Sequence, residues 1–67
     1  MKTKFSENLI ALRKEFKIGQ VELAKNINVS KGIISFWENG LREPTMSSLI
    51  SLSRYFKISI DELVGND

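Results

Sequence analysis

Apolar residues in this chain of 67 residues return at every third or fourth position, and most such runs are closed off by a residue that starts or stops a helix. Phe5, Leu9, Leu12 and Phe16 lie 4, 3 and 4 apart, and Met46, Leu49, Leu52 and Phe56 lie 3, 3 and 4 apart. That period puts each set on one side of an α-helix; a half-buried strand needs alternation at two, and no stretch here alternates. The pattern predicts five short helices and an all-α class. The first runs from about Ser6 to Phe16 and ends at a break over Ile18 and Gly19. The second, about Gln20 to Asn26, turns Val21, Leu23, Ala24 and Ile27 toward a core, and Asn28 after it suits the left-handed residue that closes a helix.

The third helix, about 30–38, carries the clearest signals. Ser30 is a good N-cap, Val29 before it can staple onto Ile34, and Gly40 stops the helix after Asn39. Thr45, following Pro44, caps a fourth helix through Phe56. In "ISIDELVG", Ser59 and Glu62 form a capping box, Ile58 and Leu63 the matching staple, and Gly65 the end of a short fifth helix. One proline and no repeated or low-complexity stretch leave a single domain over residues 1–67.

A domain of this size buries only about 60% of the surface its unfolded chain exposes. With no cysteine and no histidine, disulfides and the usual zinc sites are excluded, so stability has to come from helix packing or self-association. We therefore expect no cofactor and no metal, and a homodimer. The opening "MKTKF" lacks the apolar run of a signal peptide, and no apolar stretch approaches the ~20 residues that span a bilayer, so a cytoplasmic protein with no membrane contact is expected. Residues 1–57 hold all ten Lys and Arg against five acids, a balance of +5, while residues 58–67 hold Asp61, Glu62 and Asp67, a balance of −3. A basic body with an acidic tail is compatible with a polyanion partner.

Two short helices joined by a tight turn form a helix-turn-helix, whose second helix enters the DNA major groove. Residues 20–38 fit that unit, with Leu23, Ile27, Val29, Ile34 and Trp37 apolar on both sides of the turn and a small Ala24 where the helices cross. Taken in order, "Q-x-E-L-A", "V-S-K", "I-S-x-W-E-N-G" and "D-E-L-x-G" resemble the phage-repressor/Cro-type (XRE-like) helix-turn-helix family, and the likeness runs from "NLIALRKEF" through "DELVG". It implies a five-helix bundle of the lambda-repressor-like DNA-binding type.

The resemblance also assigns residues. Gln20 matches a glutamine that binds a phosphate and props the reading helix, an anion site expected where a helix begins. Arg13 and Glu38 match an arginine and a glutamate that pair between the first and third helices, and with Trp37 they support the site. At about 100° per residue, Ile34 and Trp37 mark the buried side of the third helix with Ile33 at its margin, while Lys31, Gly32, Ser35 and Phe36 face away, at the family positions that meet the bases. Lys31 suits a guanine edge or a phosphate, Ser35 either edge, and Phe36 a thymine methyl. Lys17, Ser30, Asn39 and Arg42 are the further phosphate contacts expected. Gly32, Ile33 and Phe36 depart from the polar residues usual in the family, which points to recognition through backbone contacts and DNA shape with few strong base contacts. Gly19, where a capping side chain is usual, predicts a looser start to the second helix.

The expected function is thus a sequence-specific transcriptional regulator, a repressor binding double-stranded DNA at a roughly palindromic operator as a dimer. The alternative is an antitoxin-like or adaptor module on the same fold, with Phe36 anchoring a protein partner. An enzyme and a small-molecule substrate are not expected: there is no His or Cys, no phosphate-cradling glycine loop and no evident carboxylate pair. No effector domain is expected beyond residue 67, which leaves control to concentration, dimerisation, a partner or proteolysis. The dimer surface is expected on the fourth and fifth helices with the loop between them, with Tyr55, Ile60 and Val64 exposed in the monomer.

Overall fold

Residues 3–65 are described by the structure, a computed structural model. The chain runs through α1 (Lys4–Glu15), α2 (Gln20–Asn26), α3 (Lys31–Glu38), α4 (Met46–Phe56) and α5 (Ile60–Val64). No strand occurs among the described residues. None of the described helices is long and apolar enough to cross a membrane.

Four of the five helices begin at a residue whose side chain caps them. Ser30, Thr45 and Ser59 accept hydrogen bonds from the backbone N–H groups of Ile33, Ser48 and Glu62, and the Ser59–Glu62 box closes in both directions. Gly19 offers α2 no side-chain cap, as expected. The start of α1 differs from the expectation: it begins at Lys4, because Thr3 is the cap. Thr3 Oγ1 accepts from the Ser6 N–H at 3.1 Å while Ser6 Oγ accepts from the Thr3 N–H at 2.7 Å, a capping box with serine in the place usual for Glu or Gln. Ser6 is thereby fully buried and fully partnered.

The stops are left-handed residues, at Lys17, Asn28, Gly40, Lys57 and Gly65. The expected role of Asn28 is met with φ 60°, but α1 is turned by Lys17 at φ 56° before the Ile18–Gly19 break. Gly65 also brings α5 against α1, since a Cβ there would lie 2.9 Å from a Lys4 side-chain carbon.

α3 packs against both α1 and α2, and α5 against α1 and α4. Leu9, Leu23, Ile34, Leu52 and Leu63 are fully buried at the centre, with Trp37 and Phe56 beside them. Three residues assigned to apolar stripes lie outside this core. Val21 is 62% exposed because its register in α2 opposes that of Leu23, Ala24 and Ile27; Met46, the first residue of α4, is 64% exposed. Phe16 is the C-cap of α1 and remains half in solvent, its ring edge-on to Phe56 at 4.9 Å. Conversely, Tyr55, Ile60 and Val64 are half-buried, not the exposed set expected of a dimer face. Tyr55 packs on Phe56 at 5.0 Å, and its hydroxyl accepts from Asn26 Nδ2 at 3.2 Å.

Candidate nucleic-acid interface

α3 is held at its start, along its back and at its end, which leaves one side open. At the start, Ser30 Oγ accepts from the Ile33 N–H at 3.2 Å. Along the back, Ile34 and Trp37 are buried, Ile33 is half-buried at the margin, and the Trp37 ring meets Phe5 edge-on at 6.1 Å. The end is fixed by Glu38, a carboxylate only 5% exposed. Arg13 Nε donates to its Oε2 at 2.7 Å and Arg13 Nη2 to its Oε1 at 3.1 Å, a bidentate pair, and Gln20 Nε2 donates to Oε1 at 2.9 Å. Arg13 Nη1 donates in addition to the Ile18 carbonyl at 3.0 Å.

One carboxylate therefore joins α1, the start of α2 and the end of α3, and the guanidinium adds the turn between α1 and α2. A charge this buried is tolerated only when it is paired and hydrogen-bonded, and among the described residues no buried side-chain polar atom lacks a partner. The hydrogen bonds to Glu38 hold the Arg13 pKa above its ordinary value; burial opposes this and the charge of Glu38 adds to it.

The four residues expected at the bases, together with Asn39, lie on the other side of α3. Lys31, Gly32, Phe36 and Asn39 are exposed and Ser35 is half-buried. A Cβ built on Gly32 would meet nothing closer than Ser30 Oγ at 3.8 Å, so this stretch of backbone is open. Asn39 Nδ2 donates to the Ser35 carbonyl at 2.8 Å and approaches Ser35 Oγ at 3.4 Å, so both polar side chains arrive already engaged with each other. The spacing of four between them was the available sign of this contact.

The phosphate candidates divide. Arg42 comes to the α3 group, its guanidinium carbon 5.3 Å from the centre of the Phe36 ring. Gln20 is tied to it through Glu38, one amide N–H being used on the carboxylate. Ser30 sits at the exposed N-cap. Lys17 stands apart in the α1–α2 turn, exposed, and among the described residues no hydrogen bond or ion pair links it to α3. Sequence reasoning missed the Arg42–Phe36 contact and the Gln20–Glu38 bond, since each depends on where a loop or a second helix lies. No group of His, Cys, Asp and Glu suited to a metal is present among the described residues.

Known proteins share this fold. The helix-turn-helix family profile matches residues 9–63. The HTH-type transcriptional activator BcrR of Enterococcus faecalis is 40% identical over 63 residues, 94% of this chain and 31% of that protein. The cryptic phage CTXphi transcriptional repressor RstR of Vibrio cholerae is 36% identical over 62 residues, 92% of this chain and 55% of that protein. The chain thus covers less than two thirds of either relative, and neither is named as an enzyme. Among solved structures, the P22 c2 repressor in complex with a synthetic operator superposes with a TM-score of 0.89 at 36% identity, over 100% of both chains. A profile match over residues 9–63, 40% identity to one regulator and end-to-end superposition on another make this chain a member of the helix-turn-helix family of phage-repressor/Cro type.

Proposed function

We propose that the chain is a sequence-specific DNA-binding transcriptional regulator of the cytoplasm, a repressor that lies on a roughly palindromic operator as a symmetric dimer with α3 in the major groove. One observation carries this reading: α3 is clamped on three sides by Ser30, Trp37 and the Arg13–Glu38–Gln20 network, and its remaining side, from Lys31 to Asn39, is left uncovered. A rigid helix with one free face suits a groove about 12 Å wide. Full-length superposition on a repressor in complex with operator DNA supports the same use; RstR is likewise named as a repressor, whereas BcrR is named as an activator.

On this reading Lys31 takes a guanine edge or a phosphate, Ser35 a base edge, and Phe36 a thymine methyl beside the space above Gly32. Gln20, Ser30, Asn39, Arg42 and, from the α1–α2 turn, Lys17 hold the phosphates and fix register. Apolar surface for a two-fold contact is supplied by Leu41, Met46 and Ile50, which are 68%, 64% and 38% exposed, in place of the half-buried Tyr55, Ile60 and Val64. The same exposed trio favours a second reading, a protein-interaction module in which a partner covers it.

Selection of bound sites from a random DNA pool tests the proposal. The expected result is a two-fold half-site repeated about one helical turn, ~34 Å, apart, bound at least about 1,000-fold tighter than random duplex and progressively more weakly as salt rises. A single unrepeated site removes the dimer, and no enrichment over random sequence removes the regulator.

A further inference from the structure

The loop after α3 is folded back by the helix's own end. Asn39 is the C-cap and Gly40 follows at φ 71°. The Gly40 N–H donates to the Trp37 carbonyl at 3.2 Å and the Leu41 N–H to the Phe36 carbonyl at 2.9 Å, the paired bonds of a Schellman stop. Leu41 is therefore pinned to the backbone of Phe36, and Arg42, the next residue, comes to lie over the Phe36 ring at 5.3 Å. Among the described residues, no carboxylate pairs with that guanidinium and it donates no side-chain hydrogen bond; the one ion pair there is Arg13–Glu38. Phe36 is itself 41% exposed and makes no aromatic pair with any described ring, so among the described residues the Arg42 cation is the specific contact of its ring.

We propose that Phe36 is a positioning residue for Arg42: its ring holds the guanidinium beside the exposed face of α3 with its N–H groups unspent, ready to take the phosphate oxygens of DNA bound to that face. The inference rests on the DNA-binding reading above and adds a division of labour to it. A free arginine on a loop loses rotamer freedom when it clamps a phosphate, whereas a guanidinium already resting on a ring loses less. An aromatic residue at position 36 thereby adds sequence-independent affinity to its contact with a thymine methyl. It also couples α3 to the phosphates at its C-terminal end, so displacing the ring displaces the clamp.

The test measures DNA affinity across a salt series, for operator and random duplex, with Arg42→Ala, Phe36→Leu, Phe36→Trp and the Phe36→Leu/Arg42→Ala double variant. It also measures the proton shifts of the Arg42 side chain by NMR in the free protein. Arg42→Ala should weaken both duplexes alike and lower the salt slope by about one. Phe36→Leu, which keeps apolar bulk but no ring, should weaken random duplex about 2- to 5-fold, the range of an exposed cation–π contact, and should shrink the further loss caused by Arg42→Ala. Phe36→Trp should keep the wild-type salt slope. In the free wild type the Arg42 Hδ protons should be shifted upfield by the ring, and Phe36→Leu should abolish that shift. The proposal is overturned if the free protein shows no such shift, or if Phe36→Leu alters only operator discrimination and leaves the Arg42→Ala loss undiminished. Wild-type protein that shows the shift but binds no DNA in a salt-dependent way overturns the clamp through failure of the DNA-binding reading, a result the NMR measurement tells apart from the absence of the contact.

Discussion

Replacing Glu38 by Gln keeps the shape of the side chain and removes its charge, which makes it the sharpest perturbation of the clamp behind α3. The carboxylate accepts three hydrogen bonds, two from Arg13 and one from Gln20. An amide has one oxygen, so its NH2 group must face a donor whichever way it is turned, and Arg13 loses its counter-charge. Removing one partner of a buried pair costs about 3–5 kcal/mol, whereas an exposed pair is worth about 1 kcal/mol or less. The side chains of Arg13 and Glu38 are 18% and 6% exposed, so the pair lies near the buried limit, with some water reaching the guanidinium. We expect Glu38→Gln to destabilise by about 2–4 kcal/mol, a large part of the roughly 3–10 kcal/mol typical of a domain this size. The melting temperature should fall by about 10–30 °C. Urea unfolding with Arg13→Met, Glu38→Gln and the double variant gives the coupling directly, expected at about 1–3 kcal/mol. Because the clamp sets α3 relative to α1 and α2, DNA affinity should drop by more than the loss of folded protein accounts for. A stability loss below about 1 kcal/mol, or coupling near zero, would refute the account, since the pair would then behave as a surface ion pair.

Other perturbations separate fold from face. Leu52 is fully buried at the centre of the core, and Leu52→Ala should cost about 2–5 kcal/mol, read as lost helicity and a lower urea midpoint. Lys57 ends α4 at φ 59°, a conformation costly for a residue with a Cβ; Lys57→Gly should relieve that at some expense in unfolded-state entropy and raise stability by about 0.5–1 kcal/mol, so a lower melting temperature would contradict it. Gly32 lies in a helix with open space where a Cβ would go, so Gly32→Ala should stabilise by about 0.5–1 kcal/mol yet weaken operator binding by filling the face. Tighter operator binding by that variant would sink the idea that the face needs its gap.

How far the sequence could be read depended on how local each cause is. Ser30, Ser59 and Thr45 announce helix starts because a cap is decided within three residues, and Ile34 and Trp37 announce a buried side because helical period is decided within two turns. Thr3 was missed for a related reason: serine at Ser6 closes its box as Glu would, but is not the residue that marks one. Val21 and Met46 went wrong because being apolar says nothing of whether a neighbouring helix is there to cover the side chain. The site divides along the same line. Its scaffold could be recognised from Arg13, Gln20, Trp37 and Glu38, whereas the Arg42–Phe36 contact depends on how a left-handed Gly40 aims the loop.

That division bears on why the outward face of α3 is so poor in hydrogen-bonding groups. Gly32 answers to no demand of the fold: no neighbour crowds its Cβ position and its φ is not positive, while glycine costs a helix stability. Phe36 is equally gratuitous as core, being 41% exposed. Two residues that the fold does not ask for, one turn apart on the same face, are best explained by what lies against that face. Gly32 lets a partner approach the backbone, and Phe36 brings a cation to its edge. A polyanion with a groove rewards close approach and positive charge more than directed hydrogen bonds, so these two residues favour the proposed duplex DNA over a protein surface as the partner of α3.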